Sequence, residues 1–308
     1  MSIAPYLREI GRGKEGARAL SREQAEDLMT QVLDDRVDPV SLGAFAIAMR
    51  IKGETPDELH GFVQAARRHL MALPAGSAPV VWLPSYNGGR KLPNLTPLLA
   101  QLLAHQGLQV VVHGVVDDGA RITTHQLFQA LGWPVCHTPE AVAAAWASQR
   151  PAFVPIAHLN PALARLLALR QVLGLRNPAH SIAKLLSPAA GLPGPRHFRV
   201  VNHTHPEYAE SLSAFLQLDA ADAMLLRGTE GEPVADLRRA PAMQCFRQGR
   251  PDHHHPLQSG SLAPVDLGDG RRCDLAHTLV HIAQRLSGEQ PVPEPIRLQV
   301  DTVVAQLR

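Results

Sequence analysis

The chain has 308 residues, of which 45% are hydrophobic and 19% are charged, so it is long enough to bury a large core in one or two domains. It has no apolar run of about eighteen residues, and residues 1–10 lack the apolar core of a signal peptide. Its three cysteines, Cys136, Cys245 and Cys273, are far apart and form no disulfide framework. These features exclude a disulfide-rich secreted scaffold, and we expect a protein of the reducing cytoplasm.

Charge is distributed unevenly, although the net charge is only +2. Between residues 59 and 206 the acidic residues are Asp117, Asp118 and Glu140, against twelve Lys and Arg. Such a segregated positive charge is typical of a surface that binds polyanions. The alternative is that the compensating acids are distant in sequence but adjacent in space.

The first seventy residues predict three or four short helices. Helix-start signals lie at Ser21 with Gln24, at Asp38 with Pro39, and at Thr55 with Glu58. The first and third pairs match the capping box, and Pro39 is suited to the first helical position. The helical pattern ends at Pro74, so we expect a helical domain over residues 1–74.

After Pro74, short apolar runs alternate with helical patterns. Strands are predicted at Val80–Leu83, Gln109–His113, Ala152–Ile156, His197–Asn202 and Ala223–Arg227. Helices are predicted at Leu95–Gln106, Thr124–Leu131, Pro161–Leu173 and Pro206–Leu218. This alternation favours an α/β domain over residues 75–308 with a mostly parallel sheet. Residues 229–272 predict loops with room for one hairpin.

A glycine-bearing turn follows the first predicted strand, in "LPSYNGGRKLPNLTP" at residues 83–97. A strand, a glycine turn and a helix start often hold phosphate, because backbone N–H groups and the helix dipole point at the turn. This turn has only two glycines, Gly88 and Gly89, and they are followed by Arg90 and Lys91. We therefore expect a phosphate-binding turn that adds fixed cations of its own.

The N-terminal stretch resembles a known family. The segment "LSREQAEDLMTQVLDDRVDPVSLGAFAIAMRIKGETPDELHGFVQA" is similar to the helical N-terminus of anthranilate phosphoribosyltransferases and nucleoside phosphorylases, most specifically in KGET-x-x-E-L-x-G from Lys52 to Gly61. The resemblance covers roughly residues 1–230. It implies a small helical domain, joined by helices from about 158–188, on a larger α/β domain with a substrate cleft between them. It also implies a homodimer formed through the N-terminal helices.

The catalytic motifs of that family are only partly present. Its GTGGD and NIST motifs read Tyr86–Arg90 and Asn94–Thr96 here, with Arg90 in place of the acidic residue. Its KHGNR motif becomes Val112–Val116, which retains only His113 and the glycine after it. Its metal-holding Asp-Glu pair falls at "GEPV" and leaves Glu232 at most.

These departures have a chemical consequence. The family's transfer reaction needs Mg²⁺ on the pyrophosphate, and Mg²⁺ needs carboxylate oxygens. Without the carboxylates and with Arg90 added, the cleft is expected to prefer a repeated monoanionic backbone to a metal-bound diphosphate. The histidine run Asp252–His255 has no second ligand group at a suitable spacing. No metal, cofactor or catalytic residue is predicted.

Three further motifs narrow the resemblance. They are "LPSYNGGRKLPNLTPLLAQLL", "LGLRNPAHSIAKLLSP" and "GTEGEPVADLRR". All three closely resemble the YbiB-type DNA-binding proteins, a subgroup of the same superfamily. The resemblance implies a homodimer without catalysis that binds nucleic acid, DNA or RNA, through backbone phosphates and with little sequence preference. The alternative is a phosphoribosyltransferase or nucleoside phosphorylase with an unidentified substrate.

Contacts to nucleic acid are expected from the glycine turn and from two later basic segments. Arg176, His180 and Lys184 are spaced i, i+4, i+8, so a helix would align them on one face, unless that face is simply solvated. Tyr86 is open to two interpretations, stacking on a base or packing against the strand. The predicted contacts are Tyr86, Asn87, Gly88, Gly89, Arg90, Lys91, Asn94, Thr96, His113, Arg176, His180, Lys184, Arg196 and Arg199.

Overall fold

A computed structural model describes residues 2–191, 194–260 and 273–308. Parts of two predicted loop regions, residues 192–193 and 261–272, lie outside the described residues. The N-terminal helices are α1 (Ala4–Ile10), α2 (Gly13–Gly16), α3 (Arg22–Leu33), α4 (Pro39–Lys52) and α5 (Pro56–Arg67). Their predicted caps are confirmed, with side-chain oxygens of Ser21, Asp38 and Thr55 each accepting a backbone N–H of the first turn.

The KGET-x-x-E-L-x-G motif packs the helical domain together. The carboxylate of Glu58 lies 2.6 Å from Lys52 Nζ and accepts the backbone N–H of Leu20 at 2.9 Å. Gly61 sits where α5 crosses α3, and a Cβ there would lie 2.3 Å from the carbonyl oxygen of Arg22. This part of the family motif therefore stabilises the fold.

The rest of the chain forms a sheet with helices on both faces. The strands are β1 (Val80–Ser85), β2 (Gln109–Gly114), β3 (Ala152–Pro155), β4 (His197–His203), β5 (Asp222–Arg227), β6 (Met243–Arg247) and β7 (Arg250–His255). The helices are α6 (Thr96–His105), α7 (Thr124–Ala130), α8 (Pro139–Ala147), α9 (Ile156–Leu159), α10 (Pro161–Leu173), α11 (Ala179–Leu185), α12 (Glu207–Leu218), α13 (Leu275–Leu286) and α14 (Glu294–Leu307).

The strand order is β3-β2-β1-β4-β5-β6-β7, with β1 to β5 parallel and β6 and β7 an antiparallel hairpin at one edge. The predicted fold class is therefore confirmed: a small N-terminal helical domain and a larger α/β domain with a mostly parallel sheet. Side chains of β1 alternate between the two faces. Trp82 packs in the core shared with the helical domain, whereas Val81 and Leu83 pack under α6 and α14.

The chain returns to the helical domain after β3. Asn160 donates to the carbonyl of Ala66 at 2.8 Å, and Arg165 donates to the carbonyl of Leu33 at 2.9 Å. Side chains of α9, α10 and α11 share one buried core with α3 and α5. The domain boundary at residue 74 stays a prediction. Among the described residues, no helix has both the length and the apolar character needed to cross a membrane.

Candidate functional site

The glycine turn lies between β1 and α6, at the carboxyl ends of the parallel strands, where open α/β sheets usually bind their ligands. Gly88 has φ of +73°, and a Cβ there would lie 2.6 Å from the carbonyl oxygen of Ile122. Gly89 exchanges two backbone hydrogen bonds with Ile122, each 2.9 Å long. The approach of the two backbone segments requires glycine at position 88, and at position 89 a Cβ would lie 2.8 Å from the carbonyl oxygen of Leu92.

A buried carboxylate occupies the first part of the turn. Glu232 is 1% exposed, and its Oε1 accepts the backbone N–H groups of Asn87 at 2.9 Å and Gly88 at 2.7 Å. Its Oε2 accepts the hydroxyl of Ser85 and, at 3.1 Å, the hydroxyl of Thr96. The Glu232 carboxylate thus accepts hydrogen bonds from the donors that a bound phosphate would use.

A second carboxylate occupies the rest of the turn. The Oε2 atom of Glu230 accepts three consecutive backbone N–H groups, from Arg90 at 2.7 Å, Lys91 at 2.9 Å and Leu92 at 3.2 Å. Converging amides of this kind form an anion site. The sequence interpretation missed Glu230, although the run Glu230-Gly231-Glu232 inside "GTEGEP" was its signal.

Five predicted phosphate contacts therefore need correction. They are Asn87, Gly88, Gly89, Asn94 and Thr96. All are buried, and the donors of Asn87, Gly88 and Thr96 are satisfied by Glu232. Asn94 donates to Thr124 Oγ1 at 2.9 Å and to the carbonyl of Ile122. In this conformation these donors of the turn are hydrogen-bonded to protein acceptors and need no phosphate.

Tyr86 and His113 also lie beneath the surface. Tyr86 is 6% exposed, and its hydroxyl lies 2.8 Å from Nδ1 of the fully buried His113. Burial raises the pKa of Tyr86 well above its usual value and lowers the pKa of His113 to about 3. Of the two interpretations of Tyr86, this conformation favours packing, because its ring lies inside the protein. His113 is a neutral core histidine.

A cleft of about 450 Å³ opens beside the turn, between α4 and α5 on one side and α11 and α12 on the other. Arg176, His180 and Lys184 all line it. The helix begins only at residue 179, after Pro178, so Arg176 reaches the cleft from the preceding loop. The structure thus brings these three predicted residues together, but Arg176 lies on the loop, whereas His180 and Lys184 lie on α11.

Lys184 links the cleft to the turn that carries the two glutamates. Its Nζ donates to Asn202 Oδ1 at 2.9 Å and to the carbonyl of Gly231 at 3.2 Å. Burial lowers the pKa of Lys184 to about 8, although the negative charge of Glu232 acts to raise it. Asn202 lines the same cleft, and its Nδ2 is buried without a hydrogen-bond partner among the described residues.

Two arginines, Arg50 and Arg176, line the cleft. Arg176 donates to Asn87 Oδ1 at 2.9 Å, and burial followed by the charges of Arg170, Arg121 and Arg50 lowers its pKa. Burial also lowers the pKa of His180 to about 4, so this histidine is neutral at pH 7. The predicted site omitted Arg121 and Arg50, because nothing in the sequence places either residue next to Arg176.

Arg90 and Lys91 stay available for a ligand. Their backbone N–H groups are bound to Glu230, but both side chains are exposed and make no ion pair with any described residue. They follow the turn directly and lie on its outer side.

Arg196 and Arg199 do not belong to this site. Arg199 is 3% exposed and forms an ion pair with Asp219 inside the protein. Arg196 pairs with Asp222 at 2.8 Å, where β4 and β5 begin. That is the amino-terminal end of these parallel strands, opposite the cleft, so the structure does not bring these two predicted residues to the cleft.

The residues do not suit a catalytic Mg²⁺. Mg²⁺ needs free carboxylate oxygens, whereas both oxygens of Glu232 and one oxygen of Glu230 accept hydrogen bonds from the turn. The ammonium of Lys184 donates to the carbonyl of Gly231, between the two glutamates. Within residues 2–191, 194–260 and 273–308, no three His, Cys, Asp or Glu side chains are grouped so that they could hold a metal ion.

Comparison with known proteins identifies the fold and the family. Residues 4–70 match the family described as "Glycosyl transferase family, helical bundle domain". Anthranilate phosphoribosyltransferase of Thermus thermophilus superposes with a TM-score of 0.69 at 20% identity, over 97% of this chain and 88% of that chain. The enzyme of Saccharomyces cerevisiae in complex with PRPP and Mg superposes with a TM-score of 0.68 at 14% identity, over 99% and 88%.

The fold is thus that of the anthranilate phosphoribosyltransferases. Sequence similarity identifies the family within that fold. The anthranilate phosphoribosyltransferase of Synechocystis is 27% identical over 92% of this chain and 81% of the enzyme. YbiB of Escherichia coli K12 is 38% identical over 306 residues, which cover 97% of this chain and 92% of YbiB. The chain belongs to the YbiB family.

Proposed function

We propose that the chain binds nucleic acid through its backbone phosphates and performs no phosphoribosyl transfer. The observation that carries this proposal is that Arg50, Arg176 and Lys184 all line one cleft. Like charges repel, and a polyanion would relieve that repulsion. Glu54 and Glu207 also line the cleft, so two acidic groups offset part of this positive charge.

The arrangement fits phosphodiesters better than a specific base sequence. Guanidinium groups and Lys184 can each neutralise one backbone phosphate, and this contact does not depend on the base. Among the residues that line the cleft, Tyr208, which is 47% exposed, and the exposed His205 present aromatic rings at the surface. We therefore expect DNA or RNA to bind with little sequence preference.

Two further features belong to the proposal. We expect a homodimer through the N-terminal helices, which would join two basic clefts and raise the avidity for a long polyanion. We also expect the protein to work in the reducing cytoplasm and without a membrane partner. All three cysteines are unpaired and buried, which suits that compartment.

A transferase with an unidentified substrate is the competing function. The likeness to the yeast enzyme in complex with PRPP and Mg favours it. Against it stand the filled glycine turn and the unsuitable carboxylates. The two functions differ in what they need from the cleft: a transferase must bind a small diphosphate, whereas the proposed function needs only surface cations.

Charge reversal in the cleft tests the proposal. Fluorescence anisotropy with labelled oligonucleotides of unrelated sequences, single- and double-stranded, should show binding that weakens with salt. Arg90→Glu with Lys91→Glu, and Arg176→Glu with Lys184→Glu, should each abolish or greatly weaken it. Single Ala replacements at these positions should reduce the slope of log K against log salt by about 0.9 each.

The matched control is Arg247→Glu with Arg250→Glu. These two exposed arginines flank the hairpin turn between β6 and β7 and make no ion pair with a described residue. They should matter little. If this control abolishes binding while the cleft variants retain it, the polyanion site lies elsewhere; if no oligonucleotide binds the natural protein, the proposed function is wrong.

A further inference from the structure

The turn that carries Glu230 and Glu232 has an unusual backbone. Glu230 has φ of +53° and Gly231 has φ of +91°, both in the left-handed region that side chains other than glycine rarely adopt. A Cβ on Gly231 would lie 1.7 Å from Asn87 Nδ2. Two successive left-handed residues are thus maintained where the turn meets the glycine turn, and both glutamates point at it.

The glutamate turn is also fixed from behind. Gln299 of α14 donates to the carbonyl of Pro233 at 2.8 Å and accepts the backbone N–H of Ala235 at 2.8 Å, and it is fully buried. Thr229 donates its hydroxyl and its backbone N–H to the carbonyl of Val234, each at 2.9 Å. The two carboxylates are therefore held by packed structure and do not reach the amides by chance.

Together the glutamates accept five backbone N–H groups of the glycine turn. Those of Asn87 and Gly88 go to Glu232, and those of Arg90, Lys91 and Leu92 go to Glu230. Convergent amides at a strand–helix junction are a strong site for a diphosphate. Here the protein supplies two anions of its own at that place.

We propose that Glu230 and Glu232 act as a built-in anion that replaces a diphosphate on the glycine turn and thereby determines which ligands the cleft accepts. A small diphosphate would have to expel Glu232, a carboxylate that is 1% exposed, and meet its negative charge in a poorly solvated place. A phosphodiester chain needs no such displacement, because the cations around the cleft lie outside the filled turn. The choice of ligand class rests on the proposed function, whereas the filling of the turn does not.

The filled turn also leaves the nearby cationic side chains available for a ligand. Were Glu230 free, its carboxylate could pair with the side chains of Arg90 or Arg121, whose backbone and guanidinium lie beside it. Hydrogen bonds from three amides instead hold one oxygen of that carboxylate on the backbone of the glycine turn. The same hydrogen bonds thus fill the glycine turn and leave the surface cations available for a ligand.

Inorganic pyrophosphate is the probe that tests this inference. Isothermal titration calorimetry without metal should show no saturable binding to the natural protein, and Glu230→Ala with Glu232→Ala should bind at least about tenfold more tightly, which corresponds to about 1.4 kcal/mol. Glu289→Ala with Asp301→Ala removes the same charge at two exposed positions that do not line the cleft, and should not create binding. Circular dichroism confirms that each variant is folded.

Glu230→Ala alone provides a second route if the double variant does not fold. Its effect is read by amide NMR, where pyrophosphate should shift the signals of residues 90–92 in the variant and not in the natural protein. Pyrophosphate shifts at residues 87–92 of the natural protein would overturn the inference, and so would a folded variant that binds none. Oligonucleotide titrations are a separate test. If the natural protein binds no oligonucleotide, the proposed function is refuted, whereas the inference about the filled turn is unaffected.

Discussion

Arg67 donates both terminal nitrogens to the two carboxylate oxygens of Asp219, at 2.7 Å each. Arg67 ends α5 in the helical domain, and Asp219 follows α12 in the α/β domain. Arg199 of β4 also donates to Asp219, and the Nε of Arg67 donates to the carbonyl of Ser187 at 2.9 Å. This buried network joins the two walls of the cleft.

Replacing Asp219 with Ala should destabilise the protein strongly. The substitution leaves two buried guanidinium groups without a counter-charge, and losses of about 3–5 kcal/mol are typical in that situation. Chemical denaturation at pH 7 measures the change. Asp301→Ala is the control, because its ion pair with Arg297 is 3.4 Å long and exposed; we expect about 0–1 kcal/mol there.

The same pair predicts a dependence on pH. Burial alone would raise the pKa of Asp219, but Arg199 and Arg67 outweigh it and lower the pKa to about 2. The stabilisation is therefore fully present above about pH 4 and is lost as the pH falls towards 2. The difference in unfolding free energy between the natural protein and Asp219→Ala should shrink over that window, and a constant difference would contradict the assignment.

Catalysis offers an independent prediction. Because the glycine turn is filled and three of the four carboxylate oxygens of Glu230 and Glu232 already accept hydrogen bonds, the protein should not consume anthranilate with PRPP, even with excess Mg²⁺. The loss of anthranilate fluorescence measures turnover directly. A rate of about 1 s⁻¹ or more, within the range of ordinary enzymes, would contradict the proposed function and restore the transferase alternative.

Much of the fold could be predicted because its signals are local. The capping boxes at Ser21 and Thr55 depend on residues three positions apart, and the five parallel strands are short apolar runs between helices. The helix α8 was missed because its Ala-rich sequence has no clear apolar face. The helices α13 and α14 follow the region in which the family resemblance weakens, and no motif marked them.

The site was harder to predict because its contacts are distant in sequence. Glu232 reaches Gly88 across 144 positions, and no periodicity connects them. Arg199 looked like a surface cation, yet it is a core residue because Asp219 compensates its charge. Motif comparison recognised that "GTEGEP" distinguishes this subgroup, but only the geometry indicates what its two glutamates bind.

Assembly can be tested on the face of α4 that points away from the core. Val40 is 83% exposed and Ile51 is 62% exposed, which is unfavourable in water. Light scattering at micromolar concentration should give about twice the chain mass of 33.4 kDa, and Val40→Glu with Ile51→Glu should reduce it to the monomer. Val280→Glu, on the exposed side of α13, should leave the mass unchanged. A monomeric natural protein would refute the dimer.

The last prediction concerns Lys184, whose pKa of about 8 lies well below the ordinary value for lysine. Below pH 8 its ammonium is charged and can bind a phosphate; above pH 8 the free protein loses that charge. Between pH 7 and pH 9 oligonucleotide affinity should fall, and the log K against log salt slope should decrease by about 0.9, the contribution of one phosphate contact.

Lys184→Met is the variant that isolates this effect. It should bind more weakly at pH 7 and show a much smaller change between pH 7 and pH 9, because Arg50 and Arg176 also line the cleft and arginine keeps its charge over this range. His180 cannot imitate the effect, since its pKa is about 4. Calorimetry in two buffers of different ionisation enthalpy should show proton uptake on binding near pH 8.5 in the natural protein only. Equal pH dependence in both proteins would place the titrating contact on another residue.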